Sequence, residues 1–163
     1  MHLLDTPVVI ALRDARSGRA DPALSAWASG VAPQSLFISA ITLHELEGLA
    51  ARASRKDRAA GASWHGWIDD QVMRAFDGRV LAIDSAIVRR AATLDYADQR
   101  DGLLAATALA HGLTLATLRP RAFKAGRVKL FDPSRYVADA PQGDWRQASR
   151  AAPAWIKGLF VRS

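Results

Sequence analysis

Three acids in this chain stand where an apolar stretch meets a turn: Asp5 closing "HLLD", Glu45 inside "ITLHELEGLA" and Asp101 opening "DGLLAATALAHG". A carboxylate at such a boundary is costly to bury without a partner, so each either ends an apolar run or has something to bind. Counted along a helix, Glu45 shares a stripe with Leu46, Leu49, Ala50 and Ala53 and borders the buried face, while Glu47 points to solvent. Asp101 shares its side with Leu104, Ala105, Ala108 and Leu109. Taken singly, it reads more simply as a helix-start acid favoured by the macrodipole, and Asp84, before "SAIVRRAA", reads as a helix cap. Gathered in one place, Asp5, Glu45 and Asp101 would repel and raise one another's pKa. A hard divalent cation removes that conflict. Mg²⁺ takes a few carboxylates, keeps several waters and bridges to phosphate oxygens, so three such acids beside a basic strip point to phosphodiester chemistry.

The elements that would position these acids alternate short apolar runs with helical periods, as βαβ units do. Strands are expected at "HLLD", at "LFIS" (36–39), at "VLAI" (80–83), at "TLAT" (114–117) and at "VKLF" (128–131). Helices are expected near 7–15, 22–29, 41–54, 57–76, 85–97 and 101–111. The pattern is α/β, a mostly parallel sheet sandwiched by helices. Thr6 is a natural N-cap and Pro7 fits the first helical position, which leaves Asp5 at the carboxyl end of a parallel strand, the edge where open α/β sheets place ligands.

The 163 residues, half of them hydrophobic, suit one domain with its own core. Without cysteine there are no disulfides or thiolate metal sites, and His2, His44, His65 and His111 show no zinc-ligand spacing. The opening lacks a basic segment and a cleavage site, and the longest uncharged stretch, 102–118, falls short of a membrane span, so a soluble cytoplasmic protein with no membrane contact is expected. The net charge of +6 is uneven: residues 102–131 hold no acid but do hold Arg119, Arg121, Lys124, Arg127 and Lys129. That asymmetry suggests a polyanionic partner, and a merely solvated basic face is the alternative. After residue 136 the pattern changes, and 137–163 reads as a C-terminal extension with a short amphipathic helix around Trp155, Ile156, Leu159 and Phe160.

At these residues the sequence resembles the PIN-domain ribonucleases, more narrowly the VapC-type toxins of bacterial toxin and antitoxin pairs. "LLDTPVV" is similar to the family's LLDTNVV, "SAITLHELEGLA" to its SAITLAELRRG, and "RDGLLAATALAHGLTLAT" to its DALIAATALAHGLTLATRN. The resemblance covers residues 3 to about 136 and implies a PIN-like three-layer α/β/α sandwich over 1–136. It implies that Asp5, Glu45 and Asp101 hold Mg²⁺ or Mn²⁺ and activate water for in-line attack on RNA, with Thr6 and Thr117 in support. It also implies a homodimer and neutralisation by a small antitoxin protein. The chain departs from the family at Pro7, which stands where the family has Asn, and in "TLRPRAF", where Arg119 stands at an Asn position and Ala122 at that of the usual fourth acid. Two functions stay open: a metal-dependent endoribonuclease, and a catalytically impaired PIN-fold module that binds RNA or an antitoxin. Arg119 has two corresponding roles, binding a phosphate oxygen in compensation for the lost acid or reaching the carboxylates and closing the site; the persistence of the three acids favours compensation. A haloacid dehalogenase type of phosphatase is disfavoured, because "DTPVV" lacks the second Asp that chemistry needs.

Overall fold

A computed structural model describes residues 1–14, 19 and 21–137. Its centre is a five-stranded sheet in the order β3-β2-β1-β4-β5, formed by β1 (His2–Leu4), β2 (Leu36–Ser39), β3 (Val80–Leu81), β4 (Thr114–Ala116) and β5 (Leu130–Phe131). Every pairing is parallel, with His2 opposite both Leu36 and Thr114 and with Leu115 opposite Leu130. The chain winds outward from β1 in one direction as far as β3 and then returns to β1's other side with β4. The strand order therefore reverses between β1 and β4, the point at which open α/β sheets form a ligand crevice beyond the carboxyl ends of their strands.

Alternation along these short strands divides the core in two. Leu4 and Ala116 face α1 (Thr6–Asp14), α2 (Pro22–Gly30), α3 (Ala40–Lys56) and the helical stretch holding Trp67, Ile68, Val72 and Phe76. Leu3 and Leu115 face Leu104, Ala105 and Ala108 of α7 (Gln99–Ala110), together with Phe123 and Val128. Apolar residues on both faces of β1 and β4 require cover on both sides, as all-parallel sheets do, and the three expected layers result.

The boundaries differ from the sequence reading where capping decides them. β1 stops at Leu4, and α1 begins at Thr6 rather than after it. Asp5 is the residue that turns strand into helix: its carbonyl accepts from Val8 N and Val9 N at 2.9 and 3.2 Å, and its Oδ1 accepts from Thr6 N at 2.8 Å. Thr6 is thereby released from the capping role expected of it, and Pro7 becomes the second helical residue. The expected helix over 57–76 is present but contains a π-helical turn. Asp57 ends α3 and its side chain caps α4 (Arg58–Trp67), after which a π-helical turn (Ile68–Val72) leads into α5 (Met73–Ala75). α6 (Ser85–Ala92) starts from the Asp84 cap as expected, with Ile87 N donating to Asp84 Oδ1 at 2.8 Å, but it stops short of 97. Asp98 caps α7, which starts two residues before Asp101.

No helix among the described residues is long and apolar enough to cross a membrane. The expected C-terminal extension with its amphipathic helix lies outside the described residues, apart from Val137.

Candidate active site

Because β1 and β4 run side by side, the residues just past their carboxyl ends, Asp5 and Thr117, meet over the crevice. Asp5 is fully buried. With its Oδ1 held by Thr6 N, its Oδ2 accepts from Thr117 Oγ1 at 2.7 Å. The same Thr117 oxygen accepts from Arg119 N at 2.9 Å, which fixes where the arginine side chain starts. Arg119 then reaches back: Nη2 lies 2.8 Å from Asp101 Oδ1 and 3.4 Å from Asp5 Oδ2, and Nη1 lies 3.4 Å from Asp101 Oδ2.

Glu45 arrives from α3 on the other side of Asp5. Thr6 Oγ1 donates to Glu45 Oε2 at 2.5 Å, so Thr6 ties the second acid to the first through its backbone and side chain together. Arg100 Nη1 sits 3.2 Å from Glu45 Oε1 and is itself held by Asp98, whose Oδ2 is 2.8 Å from Arg100 Nη2. All three predicted acids thus share the carboxyl edge and one hydrogen-bonded network. Two of them converge on a single guanidinium nitrogen, and Glu45 is linked to Asp5 through Thr6. Among the described residues, no three Asp, Glu or His side chains converge closely enough to hold one ion together. The paired oxygens of Asp5 and Asp101 nevertheless suit a hard divalent cation in type, and both already meet one positive group.

Burial dominates the electrostatics of Asp5 and raises its pKa, with the Asp101 charge adding to the rise; Thr117, Arg119 and Thr6 N offset it only in part. Burial works against the Arg119 charge, but its bonds to Asp101 and Asp5 outweigh that and raise its pKa, so it stays protonated. Arg100 holds the Asp98 carboxyl down at about 2. A carboxyl whose pKa rises on folding binds its proton more tightly in the native state. Its stabilising contribution is whole below 3.8, the unfolded value, and is lost as pH rises through the folded value. Asp5→Asn removes that pH dependence. In metal-free buffer the variant's Tm should therefore gain on wild type as pH is raised from 3.8 toward neutrality. A Tm difference that stays flat with pH would show that Asp5 is not the responsible group.

The basic strip does not form one patch. Arg119 is on the acids, and Arg121 and Lys124 are exposed on the 3₁₀ segment Pro120–Gly126 that leaves them. Arg127 and Lys129 precede β5 and lie toward the amino edge of the sheet, away from the crevice. Ala122 packs against the α7 side of the core.

Sequence reasoning missed several residues here. A pocket of about 190 Å³ beside Glu45 is lined by Thr6, His44, Arg52 and Arg100 among others. Arg52, seven residues after Glu45, was legible as its neighbour two turns on. Tyr96 gave no such signal: its hydroxyl donates to Phe123 O and accepts from Gly126 N, both at 3.1 Å, and so pins the 3₁₀ segment that follows Arg119.

The family model for the PIN domain matches residues 2–125, a span that contains every element of this site. The chain belongs to the PIN-domain family. Among curated PIN relatives, VapC ribonuclease Y4jK of Sinorhizobium fredii is 34% identical over 142 residues, covering 82% of this chain and 97% of that protein. Toxin FitB of Neisseria gonorrhoeae is 32% identical over 143 residues, covering 82% and 98%. The crystal structure of FitAcB from Neisseria gonorrhoeae superposes with a TM-score of 0.71 at 28% identity, over 83% of this chain and 99% of that one. VapBC2 from Rickettsia felis, bound to a DNA fragment from its promoter, shares the fold with a TM-score of 0.54 at 19% identity, over 80% and 96%. This PIN domain therefore has the expected three-layer architecture, built around a sheet whose switch point carries Asp5.

Proposed function

We propose that this PIN domain is a divalent-metal-dependent endoribonuclease, the toxin of a toxin-antitoxin pair. The observation that carries the reading is the pair of carboxylates, Asp5 and Asp101, buried at the carboxyl edge of the sheet and aimed at one cationic position. The names of the relatives, ribonuclease and toxin, support the same chemistry.

Asp5 and Asp101 would hold Mg²⁺ or Mn²⁺, with Glu45 the nearest further carboxylate. The bound cation supplies Lewis-acid neutralisation of phosphate charge and a readier water nucleophile. Thr6 and Thr117 orient Asp5 so that Oδ2 alone is turned to the crevice, and Thr6 keeps Glu45 beside it. The partners proposed are RNA, a small antitoxin and a second copy of the chain, in the cytoplasm; neighbours of this fold were solved as FitAB and VapBC2 complexes. The deciding experiment is cleavage of structured RNA by wild type with Mn²⁺ and with EDTA. RNA binding without Mn²⁺-dependent cleavage would favour the impaired module instead.

Arg121 and Lys124 are exposed on the segment that leaves Arg119, whereas Lys129 lies toward the amino edge of the sheet. Binding of single-stranded RNA should weaken with salt, and Arg121→Ala and Lys124→Ala should each reduce the log–log slope by about 0.7, the value of one phosphate contact. Lys129→Ala should leave it unchanged. Equal loss from all three would make the binding face broader than the crevice, and no loss from the first two would place the RNA elsewhere.

A further inference from the structure

We propose that Arg119 is a built-in counter-cation of this site, bridging the two carboxylates that would hold the metal and obliged to leave before the metal enters. This rests on the metal reading above and concerns how the cation gains access.

One guanidinium nitrogen, Nη2, contacts both acids, at 2.8 Å from Asp101 and 3.4 Å from Asp5. Asp5 has nothing else to offer a ligand. Its side chain is 1% exposed, Oδ1 is committed to Thr6 N, and Oδ2 is enclosed by Thr117 and Arg119. A divalent ion that binds Asp5 Oδ2 and Asp101 together must therefore compete with Arg119.

The arrangement favours release of the side chain over movement of the backbone. Arg119 N is bonded to Thr117 Oγ1, and Arg119 O accepts from Ala122 N at 2.9 Å, so both backbone polar groups are tied down. Pro120 restricts the residue further. The Arg119 side chain, by contrast, is 44% exposed, and its guanidinium lies 5.6 Å from the ring of Phe123. An ion pair half open to water is weak enough to be exchanged. A guanidinium does not leave by losing its proton at any ordinary pH, so a stronger cation is the means of opening the site. Until then its single positive charge bridges two carboxylates that would otherwise repel each other. The apparent metal affinity is lowered by the fraction of molecules in which Arg119 is seated.

The test is Mn²⁺ binding by calorimetry to the full chain, comparing wild type, Arg119→Lys and Arg119→Ala, with Asp5→Asn as the control that removes the site. If Arg119 is seated in about nine molecules of ten, Arg119→Ala should bind Mn²⁺ about tenfold more tightly than wild type. Its metal-free Tm should be lower and its rise on adding Mn²⁺ larger. Equal or weaker affinity in Arg119→Ala overturns the proposal, as does failure of both proteins to bind Mn²⁺ better than Asp5→Asn. Should the variants fold poorly, wild type alone decides: a Mg²⁺ titration followed at the ¹⁵N resonances of the Arg119 guanidinium should move them as the metal binds, and saturation without movement overturns the proposal. Tighter Mn²⁺ binding by Arg119→Ala with no RNA cleavage by any variant would remove the ribonuclease reading and keep this one. Mn²⁺-dependent cleavage with unaltered affinity would do the reverse.

Discussion

Asp5→Asn is expected to slow Mn²⁺-dependent RNA cleavage by about 10³-fold while leaving the protein folded. Metal-assisted charge stabilisation contributes several kcal/mol to such a reaction, and losing about 4 kcal/mol corresponds to a factor of about 10³. Asn keeps the shape of Asp and one side-chain oxygen, so the turn from β1 into α1 should survive, because the main cap contacts to Val8 N and Val9 N come from the Asp5 backbone carbonyl. Replacing a buried acid whose pKa is already raised also relieves a desolvated charge. Activity and stability should therefore move apart, with cleavage lost and the metal-free Tm at neutral pH held or raised. Single-turnover cleavage and thermal melting of the same preparations measure both. Cleavage within tenfold of wild type would show that Asp5 takes no part in the chemistry, and loss of cleavage together with unfolding would make it a structural residue.

What could be read from the sequence is what depends on neighbours along the chain. Apolar runs of four residues located all five strands, and the step from "HLLD" into a helix placed Asp5 at the ligand-binding edge. The stripe through Glu45 and the apolar helix after Asp101 brought the other two acids to that edge as well. The remainder turned on contacts between distant segments. Thr6 looked like a cap by residue type, yet the Asp5 carbonyl took that place and the Thr6 hydroxyl went to Glu45, 39 residues away. The acid-free run from Arg119 to Lys129 is continuous in sequence, but the 3₁₀ segment carries it from the carboxyl edge of the sheet toward the amino edge, so its charges separate. Arg100 and Tyr96 occupy unremarkable positions locally, and only the packing of distant segments brings Arg100 to Glu45 and Tyr96 to the 3₁₀ segment.

The two helices expected on either side of Asp57 approach each other more closely than periodicity could show, and that contact carries the largest stability effect expected here. Gly61 lies in the first turns of α4, where Ala would ordinarily be favoured over Gly by about 1 kcal/mol. The α3–α4 connection reverses that sign. A Cβ at Gly61 would lie 1.9 Å from Ser54 Oγ, 2.6 Å from Ser54 Cβ and 2.5 Å from Ser54 Cα. The hydroxyl could rotate away, but the Cα belongs to the backbone of α3. The two helices also have little room to slide, since Asp57 alone joins them, donating its N–H to Ala53 O at 2.8 Å and accepting from Ala59 N at 2.9 Å. Gly61→Ala should therefore force α3 and α4 apart and cost about 2–3 kcal/mol, in the range of overpacked cores, with Tm lowered by roughly 5–10 °C in a domain of this size. α3 also carries Glu45 and Leu46, so its displacement should reach the crevice. Ser54→Gly in the same chain should restore only part of the loss, because it removes the Cβ and Oγ contacts and leaves the one to Cα. Urea and thermal melts of the single and double variants read this directly. A Gly61→Ala protein as stable as wild type, or more so, would mean that the α3–α4 pair opens at no cost and that its close approach does not hold Glu45 at the edge of the site.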